Sequence, residues 1–237
     1  VDLVAIGVGA CVAPLPFGTR VRRYAFAGLP LGMLATWLSW DGRVGRAEGA
    51  VLVAAYAAFV GTIWAVERRP PTLGETGELA EAIGEPPPRR IGRELLMVLA
   101  GVVAMAAGAL ALVEGVRAVS GVESTQTKLG LVVVGFATAF ELVVLAWSSA
   151  RRGISDAVVA AVIGSFAYNA TMTLGAGALA RPLRIVDAAS LHVGWIAMVA
   201  ALGAVLLLSA GGTITRLRAV GLLALYPLFV VVVLVGA

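Results

Sequence analysis

Apolar residues run through this chain in long blocks, about 20 at a time, parted by short stretches where Gly, Pro, Arg and acids gather. The pattern predicts eight helices, at about residues 1–17, 24–40, 47–66, 94–118, 129–150, 156–180, 190–210 and 217–237. Backbone groups in hydrocarbon must be paired within their own segment, so each block reads as an α-helix. Strands of a membrane barrel alternate apolar and polar residues, and these blocks do not.

Composition moves the reading from helical to membrane-embedded. Hydrophobic residues make up 60% and charged residues only 14%, against nearer half and a quarter in soluble domains. The predicted class is therefore an all-α integral membrane protein with many passes. The formal charge of +4 does not point to nucleic acid, because the basic residues sit in short loops and form no patch interleaved with aromatics. Twelve of the 18 stand in alternate loops: Arg20, Arg22 and Arg23; Arg68, Arg69, Arg89, Arg90 and Arg93; Arg151 and Arg152; Arg216 and Arg218. Arg43, Arg46, Arg117, Lys128, Arg181 and Arg184 lie on the other side. The bias predicts a cytoplasmic first set and an outside C-terminus, in what reads as a bacterial plasma membrane. The one long connection, residues 67–93, is proline-bounded and acidic, and reads as a cytoplasmic linker with one short helix over Gly77–Gly84. The lone Cys11 excludes an internal disulfide.

The chain also repeats itself. "GVGACVAPL" (Gly7–Leu15) aligns with "GAGALARPL" (Gly175–Leu183), and "DGRVGRAEGAVLVAAYAAFV" (Asp41–Val60) with "GGTITRLRAVGLLALYPLFV" (Gly211–Val230). Gly42 then meets Gly212, Arg46 Arg216, Tyr56 Tyr226 and Phe59 Phe229. The copies are five helices apart, an odd number, so they cross the membrane in opposite senses. Inverted repeats of this kind build secondary transporters, with the substrate site at midplane. Residues 1–66 read as the C-terminal part of a first repeat (three helices) and 94–237 as a second repeat (five helices). The offset places Val1 opposite Asn169. It predicts about 70–80 further residues upstream, carrying a second midplane acid.

Candidate chemistry centres on two stretches. "VGFATAFELVVLAW" (Val134–Trp147) holds Glu141 midway between Lys128 and Arg152, which puts a carboxylate near the bilayer centre. An acid there costs about 2.5–3.5 kcal/mol on insertion scales and usually faces a cavity or a partner. Thr138 lies one turn earlier on the same face. In "GSFAYN" (Gly164–Asn169), Ser165 and Asn169 share a face at a similar depth. These are hard oxygen ligands suited to Na⁺, Ca²⁺ or Mg²⁺. Burial disfavours the charged acid and a cation favours it, so proton and cation compete for Glu141.

In this order the two stretches resemble the motifs of sodium/calcium exchangers and other cation/calcium antiporters, G-T-S-L-P-E followed by G-S-N-x-x-N. "RRGISD" (Arg151–Asp156) and "DGRVGRAEG" also resemble that family. The resemblance implies helices 3–10 of a ten-helix inverted-repeat secondary transporter fold. It implies exchange of Ca²⁺ for Na⁺ or H⁺ by alternating access, the cation being cargo and no cofactor being needed. Glu141 matches the cation-binding glutamate, Thr138 the motif's serine, and Ala137 would contribute its backbone carbonyl. Ser165 and Asn169 match the serine and last asparagine of the second motif. Phe136, Phe140 and Phe166 stand where the family has glycine, proline and asparagine. Without the proline an obligatory helix break is lost, and the three rings are expected to fill space along the ion path.

That substitution pattern keeps a second function open, a non-transporting membrane protein of the same fold with a structural or binding role. An intramembrane protease using Ser165 is disfavoured, because the single histidine, His192, sits at a helix end rather than beside it. His192 reads as an interfacial residue. Glu114 and Arg117, three apart near a helix end, read as a snorkelling ion pair. The bilayer and inorganic cations are the expected partners, with no protein partner indicated.

Overall fold

A computed structural model describes residues 2–67, 91–119, 121–153, 155–185 and 188–235. The linker at 67–93, its short helix over Gly77–Gly84, and Arg68, Arg69, Arg89 and Arg90 fall almost wholly outside the described residues. So does the side chain of Arg93. The helices are α1 (Asp2–Val12), α2 (Thr19–Leu38), α3 (Arg46–Glu67), α4 (Ile91–Val119), α5 (Glu123–Leu129), α6 (Gly135–Arg151), α7 (Ser155–Ala167), α8 (Leu174–Ala180), α9 (Ala188–Leu208) and α10 (Arg216–Val235). Two π-helical segments, Gly130–Val134 and Tyr168–Thr173, join α5 to α6 and α7 to α8 without interrupting the rod.

Among the described residues six stretches are long and apolar enough to cross a membrane: 46–66, 95–119, 125–151, 159–180, 191–208 and 216–235. The predicted first segment, 1–17, is shorter in the structure. α1 stops at Val12, just before Pro14, which has no N–H to continue a helix. The second begins earlier than residue 24, because α2 takes Arg20, Arg22 and Arg23 into its first turns.

Four two-residue strands tie the helix ends together. β1 (Leu15–Pro16) pairs antiparallel with β4 (Thr213–Ile214), and β2 (Arg43–Val44) with β3 (Leu183–Arg184). Leu15 faces Ile214, and Leu183 faces Val44; in the aligned sequences these are the same pair drawn twice. The Phe17 N–H donates to the Gly212 carbonyl at 2.7 Å, and the Ile185 N–H to the Gly42 carbonyl at 2.8 Å. Gly42 and Gly212 take positive φ, +75° and +79°, where side-chain-bearing residues are strained. Each donates its N–H to a serine carbonyl, Ser39 at 3.0 Å and Ser209 at 2.8 Å. Both serines are buried, and their hydroxyls close the last turns of α2 and α9.

The ribbons lie at opposite ends of α2, about 30 Å apart at 1.5 Å per residue. α9 runs between them in the reverse direction. Arg22, Arg23, Arg216 and Arg218 gather at the β1–β4 end, and Arg43, Arg46, Arg181 and Arg184 at the other. That is the division of basic residues expected from the sequence. At the first end Arg218 donates to the Leu208 carbonyl at 2.7 Å, capping α9, and Arg216 reaches the Val12 carbonyl at 3.4 Å.

Small residues set the helix crossings. α3 and α8 meet where a Cβ on Gly49 would lie 2.7 Å from the Gly175 carbonyl, and a Cβ on Gly175 2.7 Å from the Gly49 carbonyl. The aligned crossing of α1 on α10 puts Gly7 against the Ala219 carbonyl and Leu223. The main core joins Ala5, Ile6 and Ala10 of α1 with Leu142 and Ala146 of α6, Val159 and Ile163 of α7, and Leu202 and Val205 of α9. Cys11 packs at its margin as a small apolar residue. In contrast, Leu95–Val119 of α4 is exposed along its length, and its Glu114 and Arg117 form the expected surface ion pair at 3.0 Å.

Because the Gly49–Gly175 clash is backbone against Cβ, no rotamer relieves it. Gly175→Val is expected to destabilise the protein by at least the 1–3 kcal/mol typical of overpacking. Gly61→Val, with nothing within 4 Å of its Cβ position, is expected to cost far less. Thermal unfolding of the two variants in detergent checks the difference.

Candidate functional site

Both polar stretches lie against a π segment. Gly130–Val134 ends where α6 begins, one residue before Phe136, and Tyr168–Thr173 contains Asn169. A π segment interrupts the regular i→i−4 ladder, and such interruptions recur at functional sites. At the motif's own position the helix break is absent, as the loss of its proline predicts. α6 is continuous through Phe140, and the irregular turns sit just before the first stretch and at the end of the second.

From the end of α7 through the second π segment, sequence spacing becomes a hydrogen-bonded ladder. Asn169 Nδ2 donates to Ser165 Oγ at 3.1 Å, and Thr173 Oγ1 donates to Asn169 Oδ1 at 3.3 Å. Ser165 is half-buried, and Asn169 and Thr173 are exposed, while the neighbouring Val162, Ile163 and Phe166 are buried. Thr173 was missed in the sequence, although its i,i+4 relation to Asn169 was a legible signal.

On α6, Glu141 is exposed and adjoins Leu142, which is buried in the core shared with α1 and α7. α1 crosses α6 closely here, with the Gly9 Cβ position 3.5 Å from Ala146. The structure therefore sets Glu141 on the helix beside the Ser165–Asn169–Thr173 ladder, with no hydrogen bond between them among the described residues. Ala137 is exposed on α6. The side chain of Thr138 lies outside the described residues. No three of His, Cys, Asp and Glu converge among the described residues. A ligand here would meet one carboxylate and neutral oxygens.

The three phenylalanines separate. Phe166 is buried at 7% exposure and packs on α2, where its ring tip is 2.7 Å from the Cβ position of Gly32. There it is a packing residue that needs glycine opposite. Phe136 and Phe140 lie on the same helix as Glu141, with centroids 5.8 Å apart, and Phe136 lies 5.6 Å from the Tyr226 ring.

Tyr226 brings in a role that sequence reading left unassigned. Its hydroxyl donates to the Val132 carbonyl, inside the first π segment, at 3.2 Å. Its aligned partner Tyr56 meets the second π segment through an edge-on contact with Tyr168 at 5.6 Å. Away from this region, His192 does not approach Ser165. Its ring stacks on Trp40, 3.9 Å between centroids, and its Nε2 donates to the Trp40 carbonyl at 2.8 Å.

With this geometry described, the chain can be set beside known proteins. The family model described as sodium/calcium exchanger protein matches residues 93–235. The candidate antiporter CaxA of Alkalimonas amylolytica is 26% identical over 214 residues, 87% of this chain. The chain spans 65% of the length of that relative. Among solved structures, the sodium-calcium exchanger NCX_Mj soaked with zero Na⁺ and Ca²⁺ superposes at TM-score 0.61, with 18% identity over 96% of this chain and 73% of that one. The same exchanger soaked with Na⁺ and Sr²⁺ gives 0.64, with 19% identity over 96% and 72%. At such identity the likeness is one of fold.

Removing the Tyr226 hydroxyl leaves the Val132 carbonyl without that donor. Tyr226→Phe is expected to lower stability by about 1 kcal/mol, the worth of one net hydrogen bond. Hydrogen exchange should rise around Gly130–Val134 and not around Tyr168–Thr173.

Proposed function

The chain belongs to the sodium/calcium exchanger protein family, and from that premise we propose that it is the greater part of a secondary active cation antiporter that exchanges Ca²⁺ for Na⁺ or H⁺ by alternating access. The observation that carries this reading is the position of Glu141 on the helix adjoining the one that bears the Ser165–Asn169–Thr173 ladder, with a π segment in each rod. Glu141 supplies charge, and Ser165 and Asn169 supply neutral oxygens. Thr138 and the Ala137 carbonyl complete the set on α6. Hard oxygens of this kind suit Na⁺ and Ca²⁺.

Exchange follows from competition. A cation or a proton neutralises Glu141, and an unneutralised carboxylate at midplane is disfavoured by a few kcal/mol. The bound states therefore cross the membrane barrier more readily than the empty one, which is the condition for coupling. Residues 1–66 and 94–237 act as the two inverted repeats joined by the cytoplasmic linker 67–93, in a bacterial plasma membrane with the C-terminus outside. The second reading is a non-transporting protein of the same fold, favoured by the Phe136–Phe140 aromatic pair beside the acid.

Two measurements separate them. In vesicles holding the full-length protein, Glu141→Gln is expected to reduce gradient-driven Ca²⁺ uptake to the level of empty vesicles; undiminished exchange would remove Glu141 from the site. In detergent, Ca²⁺ or Na⁺ at 100 times its dissociation constant should stabilise the wild type by about 2.7 kcal/mol, and Glu141→Ala should abolish the effect. A wild type that neither transports nor responds to cations belongs to the second reading.

A further inference from the structure

The two ends of the α2–α9 pair are built on the same ribbon but carry different side chains. In the β2–β3 ribbon Arg43 stands directly opposite Arg184, and both are exposed. Opposed residues of an antiparallel pair leave the same face with Cβ atoms about 5 Å apart, and like charges there destabilise the pair. Among the described residues neither guanidinium has an acidic partner. The nearby Asp41 carboxylate accepts the Arg43 backbone N–H at 3.0 Å.

Toward the bilayer from this ribbon, α2 and α9 part to leave an open apolar groove of about 580 Å³, lined by Met33, Thr36, Trp37, Trp40, Trp195 and Val199. Trp37 is 74% exposed, more than a packing role requires. The Trp40 indole is held at the groove edge by its stack on His192.

The opposite end supplies an internal control. Aligned from the serine caps Ser39 and Ser209, Trp37 corresponds to Leu207, Trp40 to Ala210 and Trp195 to Ala25. Arg43 and Arg184 correspond to Thr213 and Pro16. The same backbone is built there without the arginine pair and without the tryptophans. Folding the ribbon and packing the helices therefore do not require them.

We propose that the β2–β3 end binds an anionic phospholipid, its phosphodiester between Arg43 and Arg184 and one acyl chain in the tryptophan-lined groove. Guanidinium groups match phosphate oxygens in bidentate geometry, and a phosphate between the two turns their repulsion into a shared attraction. Tryptophan favours the headgroup depth of a bilayer, which is where a helix end capped by a ribbon lies. A free phosphate would use the arginines and leave the groove unexplained. A neutral lipid would use the groove and leave the arginines unexplained.

The full-length protein, reconstituted in phosphatidylcholine vesicles, tests this through tryptophan quenching. Phosphatidylglycerol brominated on its acyl chains should quench at a lower mole fraction than brominated phosphatidylcholine. About fivefold per arginine is expected, from about 1 kcal/mol for each basic residue at an anionic surface. The exposed pair tolerates Arg43→Gln with Arg184→Gln, which should erase the preference, whereas Thr213→Gln at the opposite ribbon should leave it intact. In Trp37→Phe with Trp40→Phe and Trp195→Phe the preferentially quenched fluorescence should disappear. Equal quenching by the two lipids overturns the proposal, as does a preference that survives loss of both arginines. Excess inorganic phosphate should not displace the lipid; if it abolishes the preference, the site is for a free anion and the lipid assignment falls.

Discussion

In hydrocarbon a peptide N–H or C=O without a partner costs several kcal/mol, and no water is present to take it. At four of the places where this chain leaves its helices, the exposed backbone is taken up by another segment. β1 and β4 pair with each other, as do β2 and β3, and the next N–H on one side of each ribbon, Phe17 or Ile185, reaches the glycine carbonyl on the other. Buried serines and arginines collect carbonyls that the helices leave open. One solution is used twice, at opposite ends of α2 and α9. It fixes where those helices start and stop, and through them the depth of everything between.

The two π segments meet the same constraint in the opposite way. They loosen the backbone ladder within spanning rods, and each has an aromatic neighbour from α3 or α10. Tyr226 satisfies a carbonyl of one directly, and Tyr56 packs edge-on against the other. The ladder from Ser165 through Asn169 to Thr173 likewise keeps polar side chains paired with one another. Among the described residues this irregularity falls on the helices that carry the polar stretches, and tyrosines from neighbouring helices support it.

Much of this was legible in the sequence because hydrophobic length and the repeat are long-range signals. The eight helical runs, the division of arginines between two ends, and the equivalence of Gly42 with Gly212 followed from them. The ends of α1 and α2 did not, since a proline and three arginines shift boundaries by local backbone chemistry that apolar run length ignores. The π segments were illegible too. A π turn differs from an α turn by one residue of register, and neither "GLVVV" nor "YNATMT" has a composition that marks it. The contact of Phe166 was illegible for a related reason: the glycine that receives its ring, Gly32, lies on another helix far away in the chain.

Charge balance sharpens what kind of exchange this scaffold can hold. A site with one carboxylate and neutral oxygens is made neutral by one proton or one Na⁺. A Ca²⁺ ion on Glu141 alone would leave a net positive charge at midplane, as unfavourable there as the bare acid. Balanced Ca²⁺ binding takes a second carboxylate, and none joins Glu141 in a cluster among the described residues.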